Sequence, residues 1–259
     1  MSDTVRVERA DNIAIVSLHR TEKRNALRRE DWIAVGDAMD ALGEDDDIRC
    51  IVLRGAGDEA FCAGADIAGF EEERSDRRKV KAYEAATDRA FLGVRNSRHP
   101  VIAMIHGFCI GGGFELALAA DLRISAESGR FGVPAKNIGL FLGYHLVQFL
   151  VDAGGRAVAA EILLEGRAIS ADEALAKNLL TRVVPDAELE DEVMKSARRI
   201  ANGAPLSHRY HRKVLKRLAD PRPLSRAELE SQFDYADSED YMIGYNAFKN
   251  RGKPKFRGR

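Results

Sequence analysis

The period of apolar and polar positions changes along the chain, and those changes mark out its elements. Val5 and Val7 alternate with polar neighbours, Ala10-Asp11-Asn12 has turn composition, and residues 13–18 are apolar, so the chain opens on a predicted hairpin. Trp32, Val35, Met39 and Leu42 fall at helical spacing, and the acidic run Glu44-Asp45-Asp46-Asp47 follows them. Residues 49–54 (RCIVLR) and 101–105 form short, continuous apolar runs, the pattern of strands covered on both faces. Residues 71–81 are densely charged and read as a solvated connector or helix. Helices are expected over 83–94 and 114–120, and a strand over 122–125. This alternation predicts an α/β core.

Beyond Val184 the strand signal ends. Leu189, Val193, Ala197 and Ile200 mark a helix face, Val214 and Leu218 another, and Pro221 and Pro223 punctuate the next connection. No tandem sequence repeat is apparent. Residues 1–200 are therefore expected to form the core and 201–259 a helical region.

Composition narrows the function classes. The chain has 259 residues, 40 basic and 41 acidic, with a formal net charge of −1. This balance gives no pull toward nucleic acid or an anionic membrane surface. No apolar run is long enough to span a bilayer, and the opening MSDTVRVERAD lacks the apolar core of a signal peptide. Cys50, Cys62 and Cys109 are odd in number without CxxC spacing, which argues against a metal site or a disulfide framework and points to a reducing cytoplasm.

Two glycine-rich stretches carry the candidate chemistry. IGGGFEL at 110–116 follows the apolar run at 101–105 and opens a helix, with Glu115 placed one residue inside it. Free backbone N–H groups and the positive helix end meet at such a turn, which suits a developing oxyanion. A glutamate beside it suits proton transfer next to a polarised carbonyl. AFCAGADI at 60–67 follows the 49–54 run and the turn Gly55-Ala56-Gly57; there the N–H of Ala65 could supply a second donor, and Asp66 reads as a helix cap.

RNAL at 24–27, AFCAGADI, IGGGFELALAADLRI, RFGVP at 130–134 and EGRAISADEALAKNLLTRVVP at 165–185 together resemble the enoyl-CoA hydratase/isomerase, or crotonase, family. The closing DSEDYMIGYNAFKNRGKPKF is similar to that family's last helix and tail. The resemblance implies a spiral of repeated ββα units with a helical C-terminal trimerisation domain. It implies an acyl-CoA thioester as substrate, no cofactor beyond the coenzyme A that the substrate carries, and a homotrimer or dimer of trimers. Ala65 and Gly112 would grip the thioester oxygen, with Glu115 as acid/base. Arg24, Ala26, Ala63, Asp66 and Ile67 would line the coenzyme A channel, and Phe248 and Arg251 would reach toward the coenzyme A of a neighbouring subunit.

The chain departs from the pattern at one position. Hydratases of the family carry a second glutamate directly after FGxP, and here that residue is Ala135. Lys136, Asn137, Tyr144 and His145 lie nearby in sequence as substitutes, although the apolar setting of the last two suggests core packing. The acyl pocket is expected between the 70–83 region and the 139–146 stretch. Hydration on Glu115 alone, isomerisation or decarboxylation on the same site, and acyl-CoA binding with little turnover are all consistent with this pattern.

Overall fold

The computed structural model describes residues 3–259; Met1 and Ser2, which the expected core region includes, lie outside the described residues. The hairpin forms as predicted, from β1 (Val5–Ala10) and β2 (Ile13–Leu18), turning at Asp11 with φ +55°. There follow α1 (Arg29–Gly43), β3 (Cys50–Gly55), β4 (Ala60–Cys62), α2 (Phe70–Glu73) and α3 (Arg77–Asn96). Next come β5 (Val101–Ile105), β6 (Phe108–Ile110), α4 (Gly112–Ala119), β7 (Leu122–Ala126), β8 (Arg130–Gly132) and α5 (Tyr144–Glu165), which kinks at Gly155. The chain closes with β9 (Ile169–Ser170), α6 (Ala171–Ala176), β10 (Arg182–Val184), α7 (Leu189–Ala201), α8 (Pro205–Arg217), α9 (Arg226–Glu230) and α10 (Glu239–Lys249).

The strands form two sheets. One has the order β1-β2-β3-β5-β7-β10, parallel from β2 onward; the other has the order β4-β6-β8-β9. Each of the pairs β3/β4, β5/β6 and β7/β8 places its first strand in the large sheet and its second in the small one. The chain thus winds as a spiral of ββα turns, and the mixed α/β crotonase fold is present. The repeat is one of structure. Its second strands are three residues long, too short for a hydrophobic period.

Burial explains the continuous apolar runs. In β3, Cys50 and Val52 face α7, where Leu189, Val193 and Ala197 cover them; Ile51 and Leu53 face the opposite way, into the main core with Trp32, Phe61, Phe91 and Phe114. Both faces of the large sheet are covered, so every position of the strand is apolar except Arg54. The three cysteines are buried free thiols, and burial pushes Cys50 and Cys62 up to about 12, which removes them as nucleophiles at neutral pH.

The charged stretch at 71–81 is largely helical, the second of its two expected forms. The helix expected from residue 83 begins at Arg77, because the Asp76 carboxylate accepts from the N–H groups of Arg78 and Lys79. Arg74 is buried, its guanidinium lying 4.0 Å from the Tyr83 ring centre and 4.6 Å from that of Phe70.

One buried side chain joins the loop at 24–27 to the β3–β4 turn. Asn25, itself at φ +55°, accepts from Arg20 N (2.9 Å) and donates to Ala56 O (3.0 Å) and Ala60 O (2.8 Å). Asn25→Ala strands two buried carbonyls, at about 1–3 kcal/mol each. Equilibrium denaturation is expected to show a loss of about 2–6 kcal/mol with an unchanged m-value.

Candidate active site

The two glycine stretches meet where the strands of the small sheet end. β4 and β6 run parallel, with Cys62 in register with Cys109, so both leave the sheet at the same edge. A Cβ on Gly64 (φ +94°) would stand 2.8 Å from Ile110 O and 3.2 Å from Gly112 N; a Cβ on Gly113 would stand 2.2 Å from Cys62 O. Only glycine permits this approach. Gly111, at φ +53° and ψ −127°, makes the turn from β6 into α4.

Hydrogen bonding at the two exits leaves specific donors unused. Leu27 N donates to Gly64 O (2.8 Å) and Asp66 N donates to Leu27 O (2.9 Å), a parallel bridge centred on Ala65. The N–H of Ala65 therefore points away from the 24–27 loop. Gly112 is the first residue of α4, so its N–H has no partner inside the helix. Among the described residues neither N–H donates a hydrogen bond. The Cβ position of Gly112 packs 3.1 Å from the Trp32 ring, whose Nε1 donates to Tyr83 Oη at 3.1 Å.

Glu115 lies deeper than expected. α4 begins at Gly112, so Glu115 is its fourth residue and donates its own N–H to Gly111 O (3.0 Å). The side chain is 2 % exposed, and Oε1 has no hydrogen-bond partner. Burial, reinforced by the negative charge of Glu84, pushes this carboxyl up to about 8. Its environment therefore favours the neutral carboxyl over the carboxylate.

The 24–27 and 63–66 segments run side by side, with Ala63 N donating to Arg24 O at 2.9 Å. Arg24, at φ +51°, lies over the Phe108 ring and reaches Glu59 at 2.5 Å; Ile67 is exposed. Ala26 is buried and its carbonyl is taken by Arg20 Nη1 (2.8 Å), while Arg20 Nη2 binds Asp66 at 2.9 Å. Asp66 also caps the short 3-10 turn after it, accepting from Ala68 N. Arg20, which binds both segments at once, carries no motif signature and was not anticipated.

Other expected residues stand elsewhere. Phe248 is 86 % exposed on α10, and Arg251 follows it. The tail beyond them is held by Arg49 Nη2 donating to Phe256 O and by Asp240 accepting from Arg257 N. Those anchors lie at the opposite end of β3 from Gly55. Ala135, half-buried, opens a 3-10 turn whose Lys136 and Asn137 point to solvent. Core packing of Tyr144 and His145 is not found: both are exposed, Tyr144 by 96 %, because the buried stripe of α5 starts only at Leu146.

Among the described residues no cluster of His, Cys, Asp or Glu could hold a metal ion, and no helix is long and apolar enough to cross a membrane. Residues 8–259 match the family described as Enoyl-CoA hydratase/isomerase. The chain is 34 % identical to (E)-benzylidenesuccinyl-CoA hydratase of Thauera aromatica, across 98 % of this chain and 99 % of that protein. It is 28 % identical to short-chain-enoyl-CoA hydratase of Clostridium acetobutylicum, across 96 % and 99 %. A crystal structure from Magnetospirillum magneticum, described as an enoyl-CoA hydratase/carnithine racemase, superposes with a TM-score of 0.97 at 42 % identity, covering 100 % of this chain and 97 % of that one. Taken with the ββα spiral and the paired glycine turns, these likenesses show that the chain is an acyl-CoA enzyme belonging to the enoyl-CoA hydratase/isomerase family.

Proposed function

We propose that the protein hydrates a 2-enoyl-CoA thioester, with the N–H groups of Ala65 and Gly112 holding the thioester oxygen and Glu115 delivering the α-carbon proton. The observation that carries this reading is the buried Glu115, its Oε1 without a hydrogen-bond partner, on the helix whose first N–H is unused. As water adds at the β-carbon, negative charge develops on the thioester oxygen. Two fixed donors at that oxygen stabilise the enolate in the transition state more than the neutral carbonyl, and each such donor is worth about 10²–10³ in rate. The helix end adds a favourable dipole. Coenzyme A then lies along the 24–27 and 63–67 segments, with Arg24, Ala26, Ala63, Asp66 and Ile67 as its contacts. The relatives' hydratase activities support water addition, and the aryl substrate of the Thauera enzyme makes an arylated enoyl-CoA a worthwhile probe.

A second reading, double-bond isomerisation, is favoured by one observation: Ala135 offers no acid or base after FGxP, and isomerisation needs only one group to move a proton between carbons. Purified protein incubated with saturated-tail and arylated 2-enoyl-CoA, 3-enoyl-CoA and malonyl-type esters separates these outcomes. Mass spectrometry reads gain of water or loss of carbon dioxide, and chromatography reads isomers. The expected product is the β-hydroxyacyl-CoA; isomers without added water would replace the first reading with the second.

We also propose that residues 201–259 form the oligomerisation region, bringing Phe248 and Arg251 to a neighbouring subunit's coenzyme A. Among the described residues, ten of the sixteen large apolar side chains left exposed fall between Leu215 and Phe248, an excess suited to burial between copies of the chain. Sedimentation is expected to give three, or six, times the 28.6 kDa chain mass.

Glu115→Gln is expected to lower kcat by about 10²–10⁴. Hydration by the natural protein needs the protonated acid, so kcat/KM should fall as pH rises through about 8. Stability also falls as pH rises, over a lower range. A carboxyl raised in the folded state stabilises fully only below its unfolded value near 4.5, and that contribution is lost progressively as pH rises to about 8. Glu115→Gln escapes this loss, so its Tm should exceed that of the natural protein by a margin that widens from pH 5 to pH 8.

A further inference from the structure

The proposed hydration uses the main chain of two turns and one carboxyl, and it leaves Arg74 without a task. The Arg74 side chain is 10 % exposed, and its Nε and Nη1 complete no hydrogen bond among the described residues. Its backbone is fixed at the end of α2, where Arg74 N donates to Phe70 O at 2.9 Å. The guanidinium fills the corner between two rings that meet edge to face, lying 4.6 Å from the centre of Phe70 and 4.0 Å from that of Tyr83. Stacking of this kind holds the plane of the guanidinium and leaves its edges free.

Contacts run from this guanidinium to both proposed thioester donors. Tyr83 Oη accepts from Trp32 Nε1 at 3.1 Å and donates to Leu27 O at 3.5 Å. Trp32 packs against Gly112, where an added Cβ would stand 3.1 Å from its ring, and Leu27 is the bridge partner of Ala65. One aromatic ring therefore separates Arg74 from the residues that set the Ala65–Gly112 edge. Two acids stand near. Glu84, 32 % exposed on α3, places Oε1 2.9 Å from Arg74 Nη1. Glu73 is engaged elsewhere: its Oε1 accepts from Arg29 N at 3.3 Å, and its Oε2 lies against Gly69. Other arginines of this chain hold more acids. Arg89 pairs with Asp37 and Asp40, both at 2.6 Å, and Arg167 pairs with Glu161, Glu165 and Glu173. Both are far more open to water than Arg74. The less hydrated guanidinium thus has fewer acceptors, and buried donors left idle are costly. Its two-donor edge at Nε and Nη2 matches a carboxylate.

We propose that Arg74 determines specificity by binding a carboxylate at the far end of the acyl group, so that the substrates are 2-enoyl-CoA esters of dicarboxylic acids. This rests on the hydratase reading above, which places the thioester oxygen at Ala65 and Gly112. From there the acyl chain crosses the Tyr83 side of the site, and its carboxylate meets Arg74 at Nε while Glu84 keeps Nη1. Phe70 and Tyr83 shield the new pair from water, which strengthens it. An acyl chain ending in a methyl group brings no acceptor and leaves the buried donors idle, so the site discriminates against it.

The test compares matched esters on the full-length protein: a homologous series of 2-enedioic acid mono-CoA esters, and the same esters with the far carboxyl methylated. Both members of a pair carry the same coenzyme A, so its phosphates cancel. At the best chain length the free carboxylate should be hydrated with a kcat/KM about 10–100-fold higher, most of it in KM. Arg74→Gln should raise KM for the carboxylate by that factor with kcat little changed, and should affect the methyl ester far less. Arg74→Lys, which keeps the charge and loses the fork, should fall between them. Equal losses on both esters in Arg74→Gln would mark a structural role and overturn the proposal, as would a natural protein that treats both esters alike at every length. Should Arg74→Gln not fold, Arg74→Lys and the preference of the natural protein are read by the same comparison. Saturated esters, which cannot be hydrated, separate this proposal from the reading beneath it, since their Kd values by titration calorimetry should show the same preference. Preferential binding of the carboxylate without hydration of any ester would overturn the hydratase reading and support the role of Arg74; hydration without preference would do the reverse.

Discussion

Everything in this site depends on how closely two stretches of main chain approach where β4 and β6 end. Gly64 lies against Ile110 and Gly112, and Gly113 lies against Cys62, at separations that no β-carbon could occupy. That contact sets where α4 begins, and therefore which N–H starts the helix and how deep Glu115 sits. It is possible because β4 and β6 are parallel neighbours that pair Cys62 with Cys109 after a bulge between Ala60 and Cys62, an arrangement that the spiral path between two sheets secures. A second tie, from Arg20 through Asp66 and Ala26, holds the 24–27 segment against the same edge.

The electrostatics follow from that geometry. A carboxyl placed on the fourth residue of a buried helix, without a hydrogen-bond partner for Oε1, is costly to ionise. A neutral isostere would remove that penalty and, on the proposed reading, the proton transfer with it. Arg74 shows the complementary arrangement: a buried cation whose nearest acid, Glu84, is half open to water.

Much of this was legible in the sequence wherever a run was long enough to show a period. The hairpin, β3, β5 and the α7 face at Leu189, Val193 and Ala197 needed no tertiary information. β4, β6 and β8 were not visible as strands, because three residues cannot display alternation and their partners are distant in sequence. The glycine stretches named the loops; they could not give the depth of Glu115, which depends on packing against Trp32 and Cys62. Charge misled at Arg74, where stacking on Phe70 and Tyr83 outweighs the composition of its neighbours. Apolar context misled at Tyr144 and His145, since the helix they begin turns its buried stripe elsewhere.

The unused N–H of Ala65 belongs to the main chain, and this bears on how such a scaffold tolerates change. Any amino acid except proline carries that donor, so random substitution at the position alters shape without deleting the hydrogen. Carboxylates have no such protection, because one codon change removes them. On the proposed reading, substitution along this frame would spare the main-chain grip on the thioester oxygen and fall instead on the side chains that move protons.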